Sequence, residues 1–443
     1  MSRILRIELR RSFGLATTVM VVLVGTIMLY AAPQRWAGGW MQLVTTQREY
    51  LVLLWPLAIA AGAYQARREH RSRVDELFAS TSRPRLQRAA PTLGALGLTV
   101  ALGYTVLIAV AAPWIWSTAS YLPPTVFVVA AVGALSLVAA AWLGLAIGRL
   151  LPSPVTAPLL GVAGLGLLFP LPFALPEWLG ALISPMNDMS MFHDFQTVPG
   201  RVSAAQALWM AALAGTAVVL LATRGWRTRL TALLPLVLGV GVGAAIMPRG
   251  DDYVYPLTDP VAQQLVCTSD TPKVCVGRAH EGLLPEVTPK AREALAFLAK
   301  VPGAPTTAQE IIVDHFDRAD FNTRPPALPP TVVDIPVSID REGHLAWPGR
   351  VVPRMLDNAG ADGRHCEGGG APWEVSRAVG SWLSGREPVA EPGEEAEVNQ
   401  EAIVLWQGLR KLPEKEALAR VTAVRQAVLT CQDASTILTR KAP

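Results

Sequence analysis

The chain has 443 residues, of which 51% are hydrophobic and only 17% charged, and its mean hydropathy is +0.33. Soluble proteins of this size are less apolar, so the composition indicates a membrane protein. Residues 1–248 contain eighteen arginines, eight acidic residues and no lysine, whereas residues 249–443 carry a net charge of −6. The arginines flank apolar segments and do not form one soluble patch, which excludes nucleic acid as a partner.

Seven segments of the first half are apolar enough to cross a bilayer as helices, which takes about 20 residues each. The predicted spans are 13–32, 43–64, 89–112, 124–147, 155–173, 202–222 and 230–247. The second is the weakest, because Arg48 and Glu49 interrupt it and leave an apolar run only at 50–64. The first is not expected to be a cleaved signal peptide, because its apolar run is long and no clear small-residue cleavage site follows.

The distribution of arginine predicts the orientation of these spans. With a cytoplasmic N-terminus, fifteen arginines fall in cytoplasmic segments, seven of them in the loop at 65–88, and three fall in outer segments. Cytoplasmic loops are the ones enriched in arginine and lysine. Seven spans then place residues 249–443 outside the cytoplasm, with the chain in the cell membrane.

The outer region contains all four cysteines, and an extracytoplasmic compartment permits disulfides. Four cysteines allow three pairings. The favoured one joins Cys267 to Cys275 and Cys366 to Cys431, and the alternative is free buried thiols. Residue patterns predict strands at 273–278, 309–316 and 331–339 and helices at 288–300, 373–383, 395–410 and 414–431, which together indicate an α+β domain.

Two groups in this domain could suggest chemistry. They are the cluster Asp314, His315, Asp317 and Asp320, and the neighbours His365 and Cys366. Neither has a recognised ligand spacing, and the motifs of zinc proteases and serine hydrolases do not occur. We therefore expect no enzyme and no metal site here, and a domain that captures or docks a partner.

The spans themselves argue against an ion-coupled transporter. With the second core taken as 50–64, none of the seven cores contains Asp, Glu, Lys, Arg or His, whereas such transporters usually keep a charged or titrating group in the bilayer. The sequence also has no Gly-x-x-x-x-Gly-Lys-Ser/Thr loop to bind ATP phosphates. Any ATP chemistry must therefore belong to another chain.

The loop at 65–88 also has helical periodicity. The polar residues Glu69, Arg73, Glu76 and Ser80 and the apolar residues Val74, Leu77 and Phe78 recur every three or four positions. This pattern predicts a short amphipathic helix at 67–80, before Pro84. The alternative is a solvated basic loop that only flanks two spans.

Three features in order resemble the membrane subunits of type-2 ABC exporters, the ABC-2 permease family, also described as type V exporters. The loop supplies Arg68-Glu69, Asp75-Glu76-Leu77 and Ser82-Arg83-Pro84. Arginines alternate with apolar residues at 2–12, as in a helix lying on the membrane surface. Between spans five and six lie Leu175-Pro176-Glu177-Trp178-Leu179 and Ile183-Ser184-Pro185-Met186-Asn187. An aromatic residue such as Trp178 is also common at a membrane interface without a special role.

The resemblance covers about residues 1–225 and implies an architecture. A cytosolic connecting helix would occupy 1–12, and a six-span permease domain 13–225, with a coupling helix at 67–80 and external helices at 174–201. A seventh span at 226–248 and the extracytoplasmic domain at 249–443 depart from the family pattern. The residues implied to contact the ATPase are Arg68, Glu69, Arg73, Asp75, Glu76, Leu77 and Phe78, and those of the external helices are Trp178, Pro185 and Asn187.

The implied function is that of a non-catalytic permease subunit of an ATP-driven exporter. It would pair with a second copy or a paralogue, sit in membrane lipid, and dock two separate ABC ATPase subunits that bind ATP and Mg²⁺. The chain itself is expected to bind no cofactor. The alternative is a multi-span anchor or sensor whose outer domain binds a ligand or a wall-side partner.

Overall fold

The computed structural model describes residues 14–71, 84–170, 174–186, 193–223, 225–249, 257–312, 327–367, 370–390 and 396–439; the side chains of 69–71 and 396 are left aside. The described chain is mostly helical and forms two compact units. One comprises Met1–Ser117 and Leu122–Asp259, and we call it the membrane unit. The other, the second unit, comprises Thr118–Tyr121 and Pro260–Pro443.

The membrane unit is built from helices with long apolar runs. In chain order they are α1 (Gly14–Ala31), α2 (Trp40–Glu49), α3 (Leu51–Arg71), α4 (Arg85–Ile115), α5 (Thr125–Leu150), α6 (Thr156–Leu168), α7 (Glu177–Ile183), α8 (Gly200–Ala222), α9 (Trp226–Arg229) and α10 (Leu233–Ile246). Prolines directly precede α4, α5, α7 and α8, where their fixed φ favours entry into a helix.

Five helical segments of the described chain are long and apolar enough to cross a membrane. They are Gly14–Ala31, Arg85–Ile115, Thr125–Leu150, Gly200–Ala222 and Trp226–Ile246, and they match the predicted spans one, three, four, six and seven. The protein is therefore a helical membrane protein. The count of seven spans and the orientation stay predictions.

The second predicted span, 43–64, has the wrong limits. The chain forms two helices that meet at Tyr50, α2 before it and α3 after it. The apolar part of α3 starts only after Arg48 and Glu49, and its last turns are charged, which lowers its mean apolarity below that of the five segments. For the fifth predicted span, 155–173, the described helix is the shorter apolar α6, and residues 171–173 lie outside the described part.

The predicted external region, 174–201, contains one short described helix, α7, and also a strand that was not predicted. Strand β1 (Gln196–Thr197) pairs antiparallel with β2 (Leu257–Thr258), with Gln196 opposite Thr258. The predicted connecting helix at 1–12 and the external residue Asn187 lie outside the described residues.

The second unit contains a four-stranded sheet in the order β3 (Leu265–Cys267), β4 (Val274–Gly277), β5 (Thr307–Gln309) and β6 (Val332–Asp334). Strands β3 and β4 are antiparallel, whereas β4, β5 and β6 are parallel. Helix α11 (Leu284–Leu298) connects β4 to β5, because parallel neighbours need a long crossover. The strands at 273–278 and 331–339 were thus predicted in the right places but too long; Pro336 cannot donate to a ladder.

Four more helices complete this unit: α12 (Pro348–Leu356), α13 (Trp373–Ser384), α14 (Ala396–Lys411) and α15 (Glu414–Leu429). Their apolar faces enclose a core with β4 to β6 and α11 that includes Val276, Leu298, Met355, Val379 and Val421. The last three predicted helices are confirmed within two residues at each end. Helix α12 was not predicted, and α11 starts four residues before the predicted 288, at the turn that holds Pro285.

Candidate functional site

The predicted coupling segment begins as the end of a long helix. Helix α3 continues without a break through Arg67 and Arg68 to Arg71, so the first residues of the predicted coupling helix at 67–80 are helical and continue α3. Residues 72–80 lie outside the described part, and the coupling helix stays a prediction. Gln65 to Glu69 are mostly good helix formers, and none of them ends the helix. Arg68 is exposed. Glu69 lies on the helix, whereas the remaining predicted contact residues, Arg73, Asp75, Glu76, Leu77 and Phe78, lie outside the described residues.

Helix α3 packs on α5 at backbone distance. A methyl carbon added at Gly144 would lie 1.9 Å from the carbonyl oxygen of Ile59, and one added at Gly62 would lie 2.0 Å from that of Ala141. One turn further along α5, a methyl carbon at Gly148 would lie 2.8 Å from Cα of Ala63. Small residues spaced four apart let membrane helices approach this closely. The helix that carries the charged segment is therefore fixed along its length to its neighbour.

A fully buried arginine on α2 connects two other elements of the membrane unit, α7 and α8. Arg48, at the end of α2, has no exposed surface. Its Nη2 and Nε donate to the carbonyl oxygen of Pro185 at 2.8 and 3.3 Å, and its Nη1 donates to Oε1 of Gln206 on α8 at 2.9 Å. The amide nitrogen of Gln206 donates in turn to the carbonyl oxygen of Ala181 at 2.7 Å. We call these residues the Arg48 network.

The Arg48 network satisfies the open carbonyls at the end of α7. The last carbonyls of a helix have no partner within it, and here side chains of α2 and α8 supply donors, including Trp209 to Ile183 at 3.1 Å. At the other end of α7, Trp178 packs under the guanidinium of Arg249, 4.3 Å from the ring centroid. The predicted external residues Trp178 and Pro185 thus lie in one ordered segment.

From the sequence, Arg48 was interpreted only as an interruption of the second predicted span. The neighbouring Glu49 is ion-paired with Arg35, and Nε2 of Gln47 donates to the carbonyl oxygen of Tyr104 at 2.6 Å. Burying Gln, Arg and Glu side chains inside an apolar stretch costs free energy unless they form hydrogen bonds or ion pairs. The run at 47–49 could therefore have indicated, from the sequence alone, that these side chains have buried partners.

In the second unit, both predicted disulfides are confirmed. Cys267 and Cys275 are joined between the neighbouring strands β3 and β4, and Cys366 is joined to Cys431, with S–S distances of 2.05 and 2.02 Å. His365 lies 3.4 Å from the sulfur of Cys366. Because that sulfur and the sulfur of Cys431 are bonded to each other, they offer no thiolate to a metal or a substrate. The Asp314 to Asp320 cluster lies outside the described residues.

We expect the two disulfides to stabilise the second unit unequally. Cys366–Cys431 closes a loop 65 residues long and Cys267–Cys275 one of 8 residues. On loop-closure entropy, losing the first should cost about 4 kcal/mol and losing the second about 2 kcal/mol. Thermal unfolding of Cys366→Ser/Cys431→Ser and of Cys267→Ser/Cys275→Ser measures which disulfide contributes more stability. A larger loss for Cys267→Ser/Cys275→Ser would contradict the expectation.

A pocket of about 810 Å³ opens in the second unit, lined by residues of β6, α12, the N-terminus of α13 and the turns between them. Arg364 bridges two carboxylates in it, with Nη2 2.7 Å from Oδ2 of Asp334 and Nε 2.9 Å from Oδ1 of Asp362. None of these residues was predicted from the sequence, because Asp334 is far in the chain from Asp362 and Arg364 and the three follow no motif.

Burial raises the pKa of Asp334 to about 6, and the carboxylates of Asp362 and Glu310 act in the same direction. The guanidinium of Arg364 and the N–H of Ile311, which donates to Oδ1 at 2.9 Å, oppose that rise in pKa. The ordinary value is 3.8. A carboxyl pKa raised by folding contributes stability that is present below about pH 4 and lost as the pH rises through about 6.

This sign gives a pH prediction. The Tm of the wild-type chain minus the Tm of the Asp334→Asn chain should decrease as the pH rises from 4 to 7. Asp270→Asn serves as control, because that side chain is 77% exposed. A Tm difference that rises with pH in this range would show that the carboxylate is stabilised, not destabilised, by the fold.

We compared the sequence with protein-family models and curated proteins, and the fold with solved structures. Nothing matches. The membrane unit offers the charged end of α3 and the Arg48 network, and the second unit offers the pocket around Arg364.

Proposed function

We propose that the chain is the membrane-spanning permease subunit of an ATP-driven ABC exporter, with ATP bound and hydrolysed on a separate chain. The resemblance of residues 1–225 to the ABC-2 permease family supports this proposal, as does the lack of a phosphate-binding loop in the sequence. The chain would work in the cell membrane as a dimer, with its N-terminus in the cytoplasm and its second unit outside.

The observation that carries the proposal is the construction of α3. Its apolar first part and charged last turns are one continuous helix, and Gly62, Gly144 and Gly148 place its backbone against that of α5. A force applied at the charged end would therefore move two packed helices together, because interiors packed at this density transmit displacement and do not absorb it.

In this mechanism the ATPase docks on the segment at 67–80. Closure of the ATPase dimer on ATP pushes the end of α3, and the pair α3–α5 tilts relative to the remaining helices. The Arg48 network keeps α2, α7 and α8 joined during that movement, since breaking it would leave a buried guanidinium without its acceptors. The substrate path would open between the α3–α5 pair and the group formed by α2, α7 and α8.

Docking is tested by purifying the wild-type chain and the double variant Glu76→Ala/Leu77→Ala from the cells that encode the protein and measuring the ABC ATPase that each retains. We expect the ATPase that co-purifies to fall at least about ten-fold, because truncating an interface hot spot costs about 2 kcal/mol or more. Arg201→Ala is the matched control, since Arg201 is exposed and is predicted to lie on the other side of the membrane. Undiminished co-purification and transport with the double variant would refute the assignment.

A sensor or anchor is the second candidate, and the pocket in the second unit favours it. A transporter subunit does not require a ligand pocket in an added domain, whereas a sensor does. ATP-stimulated transport by the chain reconstituted with the ATPase distinguishes the two, because only the exporter proposal expects it.

A further inference from the structure

The pocket in the second unit has two exposed tryptophans in its lining. Trp347 and Trp373 are 56% and 52% exposed, and they line the pocket at the starts of α12 and α13. The guanidinium of Arg350 lies 4.7 Å from the ring centroid of Trp347, and that of Arg354 lies 4.7 Å from the ring centroid of Trp373. Because a cation–π contact holds each indole in place, the pocket has two positioned aromatic surfaces that are still half open to solvent.

Three of the exposed side chains at this pocket have hydrogen-bond donors without a protein partner. In the described part of the chain, neither indole N–H of Trp347 and Trp373 forms a hydrogen bond. Arg364 uses its Nε and Nη2 for the carboxylates of Asp362 and Asp334, and its Nη1 has no partner among the same residues. The side chain of Arg364 is 43% exposed. Indole and guanidinium groups donate but do not accept, so a ligand that brings acceptors would satisfy them.

The charges around the pocket nearly cancel. The lining contains four aspartates and three arginines, namely Asp334, Asp357, Asp362, Asp433, Arg350, Arg354 and Arg364. With all seven ionised, four negative charges stand against three positive ones, which gives a net charge of −1. A ligand with a single charge of either sign would be attracted by one set and repelled by the other. The lining therefore selects neither an anion nor a cation, and the acceptors that suit its open donors are neutral ones.

We propose that this pocket binds a proline-rich segment of a partner protein, with proline rings packed on Trp347 and Trp373 and carbonyl oxygens accepting from the indole N–H groups and from Arg364. A proline residue has a carbonyl acceptor but no N–H, so it brings acceptors without adding donors. An ordinary peptide brings an N–H with every carbonyl, and each of those must then find an acceptor of its own.

The conformation of proline-rich segments also suits such a pocket. They form an extended polyproline II helix without internal hydrogen bonds, so their carbonyl groups are open. Aromatic-lined grooves bind this helix at a low cost in entropy, because it is formed before binding. The pocket volume of about 810 Å³ lies in the range of known ligand sites. The inference rests on the second unit alone and not on the permease proposal.

The test uses the full chain in lipid nanodiscs. Isothermal titration calorimetry measures the binding of hexaproline and of a hexapeptide of alternating alanine and serine, both acetylated and amidated so that neither has charged ends. We expect hexaproline to bind with a Kd of about 1 mM or lower and the alanine–serine peptide not to bind at that concentration. Trp373→Ala should weaken the binding of hexaproline at least about ten-fold. Trp373→Phe, which keeps an aromatic ring but removes the N–H, should weaken it about three-fold.

The control is Trp226→Ala, which removes another exposed tryptophan under an arginine, Arg227, in the membrane unit. It should leave the affinity for hexaproline unchanged. Thermal unfolding shows whether each variant is folded. The proposal is overturned if hexaproline does not bind at about 10 mM, if the alanine–serine peptide binds with the same dependence on Trp373, or if Trp347→Ala and Trp373→Ala, both folded, bind hexaproline like the wild type.

Discussion

Replacing Gly144 by leucine should strongly destabilise the membrane unit. Even the first carbon of a side chain at this position would lie 1.9 Å from the carbonyl oxygen of Ile59, and a backbone atom cannot move aside as a flexible side chain can. Helices α3 and α5 would have to separate along the face that also contains Gly62 and Gly148. Overpacking in a dense interior costs about 1–3 kcal/mol or more, and a backbone clash of this size belongs at the upper end.

Two further variants make the experiment specific. Gly144→Ala adds only the clashing carbon and should lower the Tm of the purified chain by less than leucine does, whereas Gly241→Leu on α10 should change it little, because a carbon added there meets nothing within 4 Å. The measurement is the yield of monodisperse protein and its Tm in the same detergent. Equal behaviour of Gly144→Leu and Gly241→Leu would show that α3 and α5 are not in backbone contact.

Continuous apolar runs were the part of the fold that the sequence could predict. Helices α4, α5 and α8 lie within a few residues of the predicted spans, because about 20 apolar residues have few alternatives in a membrane protein. The cysteine pairs could also be predicted, because four cysteines allow only three pairings. The interruption of the second span at Arg48 and Glu49 was visible in the sequence, but the partners of Arg48 could not be predicted, because they lie 137 and 158 positions away.

The pocket escaped prediction for a related reason. Its base combines Asp334 from the end of β6 with Asp362 and Arg364 from a turn after α12, and α12 itself was not predicted. Trp347 and Trp373 are 26 positions apart in the sequence and meet the same cavity only because α12 and α13 lie side by side. Local patterns give the type of an element, but tertiary packing decides which side chains meet.

Truncating Arg48 to alanine should be the most damaging change to a single charged residue of the membrane unit. It would remove donors from the carbonyl oxygen of Pro185 and from Gln206 and leave a cavity where a side chain without exposed surface now lies. Each buried group left without a partner costs about 1–3 kcal/mol, so the total should be about 3 kcal/mol or more. Thermal unfolding in detergent measures this loss.

Arg48→Lys separates charge from geometry. A lysine retains the positive charge, but its single ammonium cannot reproduce the fork that reaches Pro185 and Gln206 together, so most of the loss should remain. Arg201→Ala, at an exposed position, should be close to neutral. A lysine variant as stable as the wild type would mean that only the charge matters at this position. Gln206→Ala should then be harmless, whereas the hydrogen bonds from Gln206 to both Arg48 and Ala181 predict a clear loss of stability.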